Sequence, residues 1–304
     1  MNKPKLILST LCIVMTLCAC SELFGDSLSY KINYDRKCAK VKRGWYTGDV
    51  VIPEKIESEG NIYPVNELEL IAFFGCHELT SIRLPKSINV IGPHAFDGCV
   101  ELTEVKIPCR ITILEEGIFN GCSKLKEVTL PERIQRIEAF AFNSCESLTN
   151  INIPDHVNYI GNHAFGCCKS LTQISMSDNV ETLGQRVFNK CSSLKSIRIS
   201  NAITCIERGA FNGCEALEAI TLPSGVDSLA AFALTNCKAL KSITIPETIE
   251  SIGWYAFCDC TSLSKITCAF EPQKIVAHDV SIAEQINAKT INESLFIILV
   301  VFCV

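Results

Sequence analysis

The chain has 304 residues, 48% hydrophobic and 20% charged, with a formal net charge of −5. That is ample for one elongated domain, and the mild acidity argues against a nucleic-acid partner, which wants a basic stripe. Nineteen cysteines would ordinarily read as the disulfide framework of an exported protein, but their spacing gives most of them another role.

At the N-terminus, Lys3 and Lys5 precede a largely apolar run from Leu6 to Leu17, which reads as an export signal too short to span a bilayer. It closes on Leu17-Cys18-Ala19-Cys20, which resembles a bacterial lipobox, although Cys18 is an unusual occupant of its position. The resemblance implies that residues 1–19 are removed and that Cys20 is lipidated. The alternative is an ordinary cleaved signal with cysteines there by chance. A diacylated Cys20 would hold the protein on a membrane, since two chains retain what one barely does. Residues 20–29 then form a tether and residues 30–64 an N-terminal cap with a degenerate first repeat. Gly48-Asp49-Val50-Val51-Ile52-Pro53 has the look of a repeat strand. The extra residues around Glu59-Gly60-Asn61 are expected to form a capping hairpin.

From residue 65 to 268 the chain is periodic. Cys76, Cys99, Cys122, Cys145, Cys168, Cys191, Cys214, Cys237 and Cys260 are each 23 residues apart. Phenylalanine stands three residues before eight of these nine, with Leu234 as the exception, and leucine three residues after all nine. An Ile/Val position, a further apolar position and often a proline follow. The alternation in L-x-x-I-x-L is that of a strand, and proline ends it because it cannot donate to a ladder. The segment A-F-x-x-C is expected to form a helical turn that sends phenylalanine inward. Stacking these units gives an α/β solenoid of about nine to ten turns with a parallel sheet on one face, strands ~4.8 Å apart. The nine cysteines form a structural ladder of free, buried thiols, since a thiol packs as a small hydrophobe.

After Cys268 the register is lost, and residues 269–304 are expected to be an irregular tail. It ends in the apolar run from Leu295 to Val304, ten residues and too few to span a bilayer. The run either covers the last turn of the core or ends a truncated reading frame. The second is favoured.

The repeat L-x-x-I-x-L-P-x-x-I-x-x-I-G-x-x-A-F-x-x-C, cleanest from Leu148 to Cys168, resembles the BspA-like, Treponema-type class of leucine-rich repeats. The resemblance implies a surface-displayed bacterial protein, some members of the class being adhesins for host matrix proteins or other bacteria. With the lipobox it implies an outer-membrane lipoprotein at the cell surface that binds a protein or other macromolecule. A periplasmic envelope scaffold without external ligand is the alternative.

Catalysis is not expected. His94 and His163 hold one repeat position three turns apart, and no histidine has a nucleophile whose proximity the sequence argues. Phosphate loops, metal helices and nucleophile elbows are absent from the sequence, so no metal or cofactor is expected. The abundant thiols suggest a reducing habitat. Binding is assigned to the outward strand positions on the concave face: Arg83, Glu104, Lys106, Glu127, Thr129, Asn150, Asn152, Gln173 and Arg198. Each is equally readable as a solvated sheet residue.

Overall fold

The computed structural model describes residues 28–268 and the short strand Val276–Ala277. The expected signal at 1–19, Cys20, most of the expected tether and the apolar run at 295–304 lie outside the described residues. Inside them the chain winds as a β-solenoid of about ten turns with a 23-residue period.

The N-terminal end is closed by β1 (Tyr30–Asn33) and β2 (Cys38–Val41), an antiparallel hairpin whose second strand runs parallel to β5 (Asn61–Leu68). Between them lie β3 (Gly48–Val51) and β4 (Lys55–Ser58). β3 pairs in parallel with β6 (Leu79–Arg83) and so begins the repeat sheet, while β4 pairs antiparallel with β5. Glu59 (φ 53°) and Gly60 (φ 75°) turn that second hairpin in the left-handed region that tight hairpins require.

The repeat sheet is interrupted. Glu104–Lys106 pairs with Glu127–Thr129, Gln173–Ser175 with Ser196–Arg198, and Ser242–Ile245 with Lys265–Cys268. The coil of Ile151 contributes no strand, and that of Ile220 only a bridge from Ala219 to Ser242. A second parallel row, unforeseen from the sequence, runs along the I-x-x-I segment. It links two-residue strands such as Ile113–Leu114, Arg136–Ile137, Tyr159–Ile160 and Thr182–Leu183. Its last member, Val276–Ala277, pairs with Ser251–Ile252.

The α/β expectation is corrected: the described residues contain no helix. An α-helix needs successive N–H groups to reach four residues back. In A-F-x-x-C the N–H groups alternate instead. Those of His94, Phe96 and Gly98 donate to Glu116, Ile118 and Asn120 of the next coil at 2.8, 2.9 and 2.7 Å. Those of Asp97 and Cys99 close turns onto His94 and Phe96 at 3.3 and 3.1 Å. The cause is a pair of left-handed residues four apart in each coil, such as His94 (φ 53°) with Gly98 (φ 76°), or Phe140 (φ 58°) with Ser144 (φ 60°). A right-handed helix cannot pass through them.

The core runs the length of the stack. Phe73, Phe96, Phe119, Phe142, Phe165, Phe188 and Phe211 are fully buried. Their rings stack with centroids 5.3 to 5.6 Å apart, and Tyr46 caps the row 4.8 Å from Phe73. Beside them runs the thiol ladder. From Cys99 onward each Cys Sγ–H donates to the carbonyl of the residue 26 positions earlier, as in Cys99 to Phe73 at 3.1 Å and Cys145 to Phe119 at 3.2 Å, while Cys76 donates to Gly44 in the cap at 3.4 Å. These thiols therefore pack and also tie one coil to the one before it. All nine are buried and in the thiol form.

Candidate functional site

On the strand face a buried Ile or Val alternates with exposed neighbours, because successive side chains point to opposite sides. Arg83, Glu104, Lys106, Glu127, Thr129, Asn150, Asn152, Gln173 and Arg198 are all exposed there. Register places Glu104 beside Glu127 and Lys106 beside Thr129. Among the described residues, none of Arg83, Glu104, Lys106 and Glu127 takes part in an ion pair. The N-terminal charges therefore point at solvent, and the two carboxylates stand side by side.

The remaining predicted positions differ among themselves. Asn150 and Asn152 fall in the coil without a strand, which interrupts the row. Gln173 pairs in register with Ser196. Arg198 is already engaged: its Nη1 donates to the Met176 carbonyl at 2.6 Å and its Nη2 pairs with Asp178 at 2.9 Å. The Arg198 guanidinium and the Asn201 N–H hold the Asp178 carboxyl below its ordinary range, the backbone donor contributing most.

A third exposed row escaped the sequence reading. It lies directly after the repeat leucine: Thr80, Thr103, Lys126, Thr149, Thr172, Lys195, Glu218, Lys241 and Ser264. The signal was available, because the period carries a polar residue there in every coil. At its start the Ser81 and Thr80 hydroxyls donate to Asp49 at 2.7 and 2.8 Å and hold that carboxyl below its usual range. The face is thus three polar side chains wide.

Elsewhere the chemistry is structural. Burial pushes the Cys99, Cys122, Cys145, Cys168, Cys191 and Cys214 thiols far up, so these sulfurs stay protonated. A protonated buried thiol is neither nucleophile nor metal ligand. His94 Nδ1 lies 2.9 Å from Asp97. His163 stacks on Phe140 at 5.0 Å and is held below its ordinary value by burial, then by Arg186. Among the described residues no three of His, Cys, Asp and Glu stand where they could hold a metal ion. Exposed coil-to-coil pairs such as Lys124–Glu101 and Lys169–Glu146, both 2.7 Å, are screened by solvent and add little to stability.

The family model described as "BspA type Leucine rich repeat region" matches residues 66–195 and 181–297, with six copies. Among solved structures, a leucine-rich repeat protein from Bacteroides ovatus is 29% identical, covering 84% of this chain and 67% of its own, with a TM-score of 0.74. The leucine rich repeat protein of T. pallidum is 27% identical over 70% of this chain and 87% of its own, with a TM-score of 0.49. The pneumococcal vaccine antigen PcpA is 16% identical over 88% and 95%, also with a TM-score of 0.49. None of the curated proteins compared matches the chain.

Proposed function

Because this chain belongs to the BspA-type leucine-rich repeat family, we propose that it is an exported, lipid-tethered, non-enzymatic binding protein whose strand face recognises another macromolecule at the cell surface. The observation that carries the reading is the polar face, three side chains wide, with unpaired charges at Arg83, Lys106, Glu104 and Glu127 near its N-terminal end. Groups left without partners in the free protein are available to a ligand, and charges at an interface set its on-rate and salt sensitivity. A protein ligand fits better than a glycan, because the strand rows carry no aromatic side chain on which a sugar would stack.

Lipidation at Cys20 supplies the attachment in this reading. Cys20→Ala should move the protein from the membrane fraction to the soluble one, and continued retention would remove the anchor. The binding role is tested by protease shaving of intact cells, then by capture on immobilised fibronectin, collagen and whole bacteria. Loss of the repeats without lysis, with saturable and salt-sensitive capture, supports surface recognition. The double substitution Arg83→Glu/Lys106→Glu should weaken capture at least tenfold, and unaltered capture removes this patch. Full protection from protease favours the second reading, a periplasmic scaffold.

A further inference from the structure

The first hairpin of the N-terminal cap and the loop after it differ in charge from the rest of the chain, including residues 47–64 of the cap, where Lys55 stands against Asp49, Glu54, Glu57 and Glu59. Between Tyr30 and Tyr46 stand six cations, Lys31, Arg36, Lys37, Lys40, Lys42 and Arg43, against one acid, Asp35. That is a local net of +5 in a chain of −5, so the other residues together carry −10. Of the six, only Lys40 has an ion-pair partner among the described residues, Glu67 at 2.6 Å. Lys31 lies opposite Lys40 across the hairpin, a like-charge pairing that weakens a two-stranded unit.

The same end carries most of the exposed apolar surface. Seven of the nine most exposed large apolar side chains of the described residues lie between Tyr34 and Val90. Tyr34 (60% exposed) stands at the tip of the β1–β2 hairpin, and Trp45 (64%) in the loop that follows β2. The Trp45 ring lies against Gly75, 3.6 Å from where a Cβ would stand. Next to Gly75, Phe74 is exposed beneath the Arg43 guanidinium, 5.8 Å from its ring centre. Leu70, four residues before Phe74, is exposed as well.

We propose that this cap is a docking surface for an anionic lipid bilayer. Tryptophan and tyrosine settle at the headgroup level. Unpaired lysines and arginines are drawn to anionic headgroups, each multiplying affinity about fivefold. A nucleic acid would answer the charge and could stack a base on Trp45, but it would give Leu70 no apolar phase to enter, and the overall acidity of the chain would oppose it. The acidic body is repelled by the same headgroups, so the charge asymmetry orients the molecule cap-down. The position of the patch agrees with the attachment proposed above: Cys20 precedes Tyr30 by ten residues, at most ~35 Å of extended chain. The inference rests on that attachment for its setting and on the cap's own side chains for its chemistry.

The chain holds two tryptophans, Trp45 and Trp254, at opposite ends of the stack, which gives a direct test. Residues 20–304 with Cys20→Ala carry no acyl chain and no leader. In that background Trp254→Phe leaves Trp45 as sole reporter, and Trp45→Phe leaves Trp254. Each is titrated with vesicles of phosphatidylcholine alone and of phosphatidylcholine with phosphatidylglycerol. The expected result is a blue shift of Trp45 emission on anionic vesicles only, reversed by molar salt, with Trp254 unmoved. Lys42→Ala/Arg43→Ala should weaken the Trp45 response about 25-fold. No Trp45 shift on anionic vesicles, an equal shift on neutral ones, a shift untouched by the double substitution, or retention on heparin without any vesicle response would each overturn the proposal. Lipidation is read separately, from fractionation of Cys20→Ala cells, so failure of the anchor and failure of the cap are distinguished.

Discussion

The buried thiols make stability above pH 9 a direct readout of the ladder. Burial raises Cys99, Cys122, Cys145, Cys168, Cys191 and Cys214 well above their ordinary value of 9.0. In the unfolded chain the same thiols ionise near that ordinary value. The folded state therefore keeps protons that the unfolded state gives up, and stability falls as pH rises through 9.0. At one pH unit above, each thiol costs about 1.4 kcal/mol, and six together about 8 kcal/mol. That is the size of a whole domain's stability, so the solenoid should unfold near pH 10 while its lysines are still largely charged. The assay is urea unfolding followed by circular dichroism from pH 7 to 10, under argon with reductant. The control is Cys145→Ala. It should cost about 2 kcal/mol at neutral pH through the lost volume and lost bond to Phe119, yet lower the alkaline slope by one proton, about 1.4 kcal/mol per pH unit. Stability that stays flat from pH 8 to 10, or rapid maleimide labelling of the native thiols, would refute the reasoning.

Three further outcomes follow from the packing. Phe119→Ala removes a fully buried ring stacked 5.4 and 5.6 Å from its neighbours, and should cost about 4 kcal/mol in urea unfolding; a loss below 1 kcal/mol would mean that the row closes over the gap. Gly184→Ala places a Cβ 2.4 Å from the Asn162 nitrogen and Gly161 carbonyl carbon of the preceding coil. It should cost about 3 kcal/mol, since backbone yields less than side chain, and an unchanged urea midpoint would show that the coil spacing can widen there. The stability contributed by Asp49 should be present above its ordinary value of 3.8 and lost as pH falls through its lower folded value; a carbon-13 titration in which Asp49 protonates above 3.8 would contradict this.

The 23-residue register made the buried positions legible. A residue that recurs at one place in every coil must meet its own copy, and the Phe, Leu and Cys positions are indeed inside. The strand-face positions were legible for the same reason. The turn segment was not, because small and apolar residues suit a helical turn and a left-handed residue leaves a weak trace. Glycine marks the left-handed pair at Gly117 with Gly121 and at Gly209 with Gly213, but His163, Arg186 and Phe232 adopt the same conformation elsewhere. The second row of strands was hidden because two residues are too few to alternate. The hydrogen-bonding role of the thiols lay behind their packing role. Alanine would pack, but it could not donate to the coil before, and the unbroken recurrence of cysteine was the clue. The engagement of Arg198 depends on Asp178 in a neighbouring turn, a contact that strand periodicity alone does not reveal.

The sideways N–H groups of the turn segment have a consequence for how such a protein changes over generations. A coil sends its turn-segment bonds to the coil beside it, and its thiol reaches the coil before it, so it has no business with distant parts of the chain. Adding or dropping one whole period joins surfaces that already fit, whereas any other length of insertion shifts every ladder at once. Reach is therefore a quantity that can be dialled in steps of one coil, 5.3 to 5.6 Å by the spacing of the rings. A lineage could lengthen its molecule by copying a segment, with no new fold to invent.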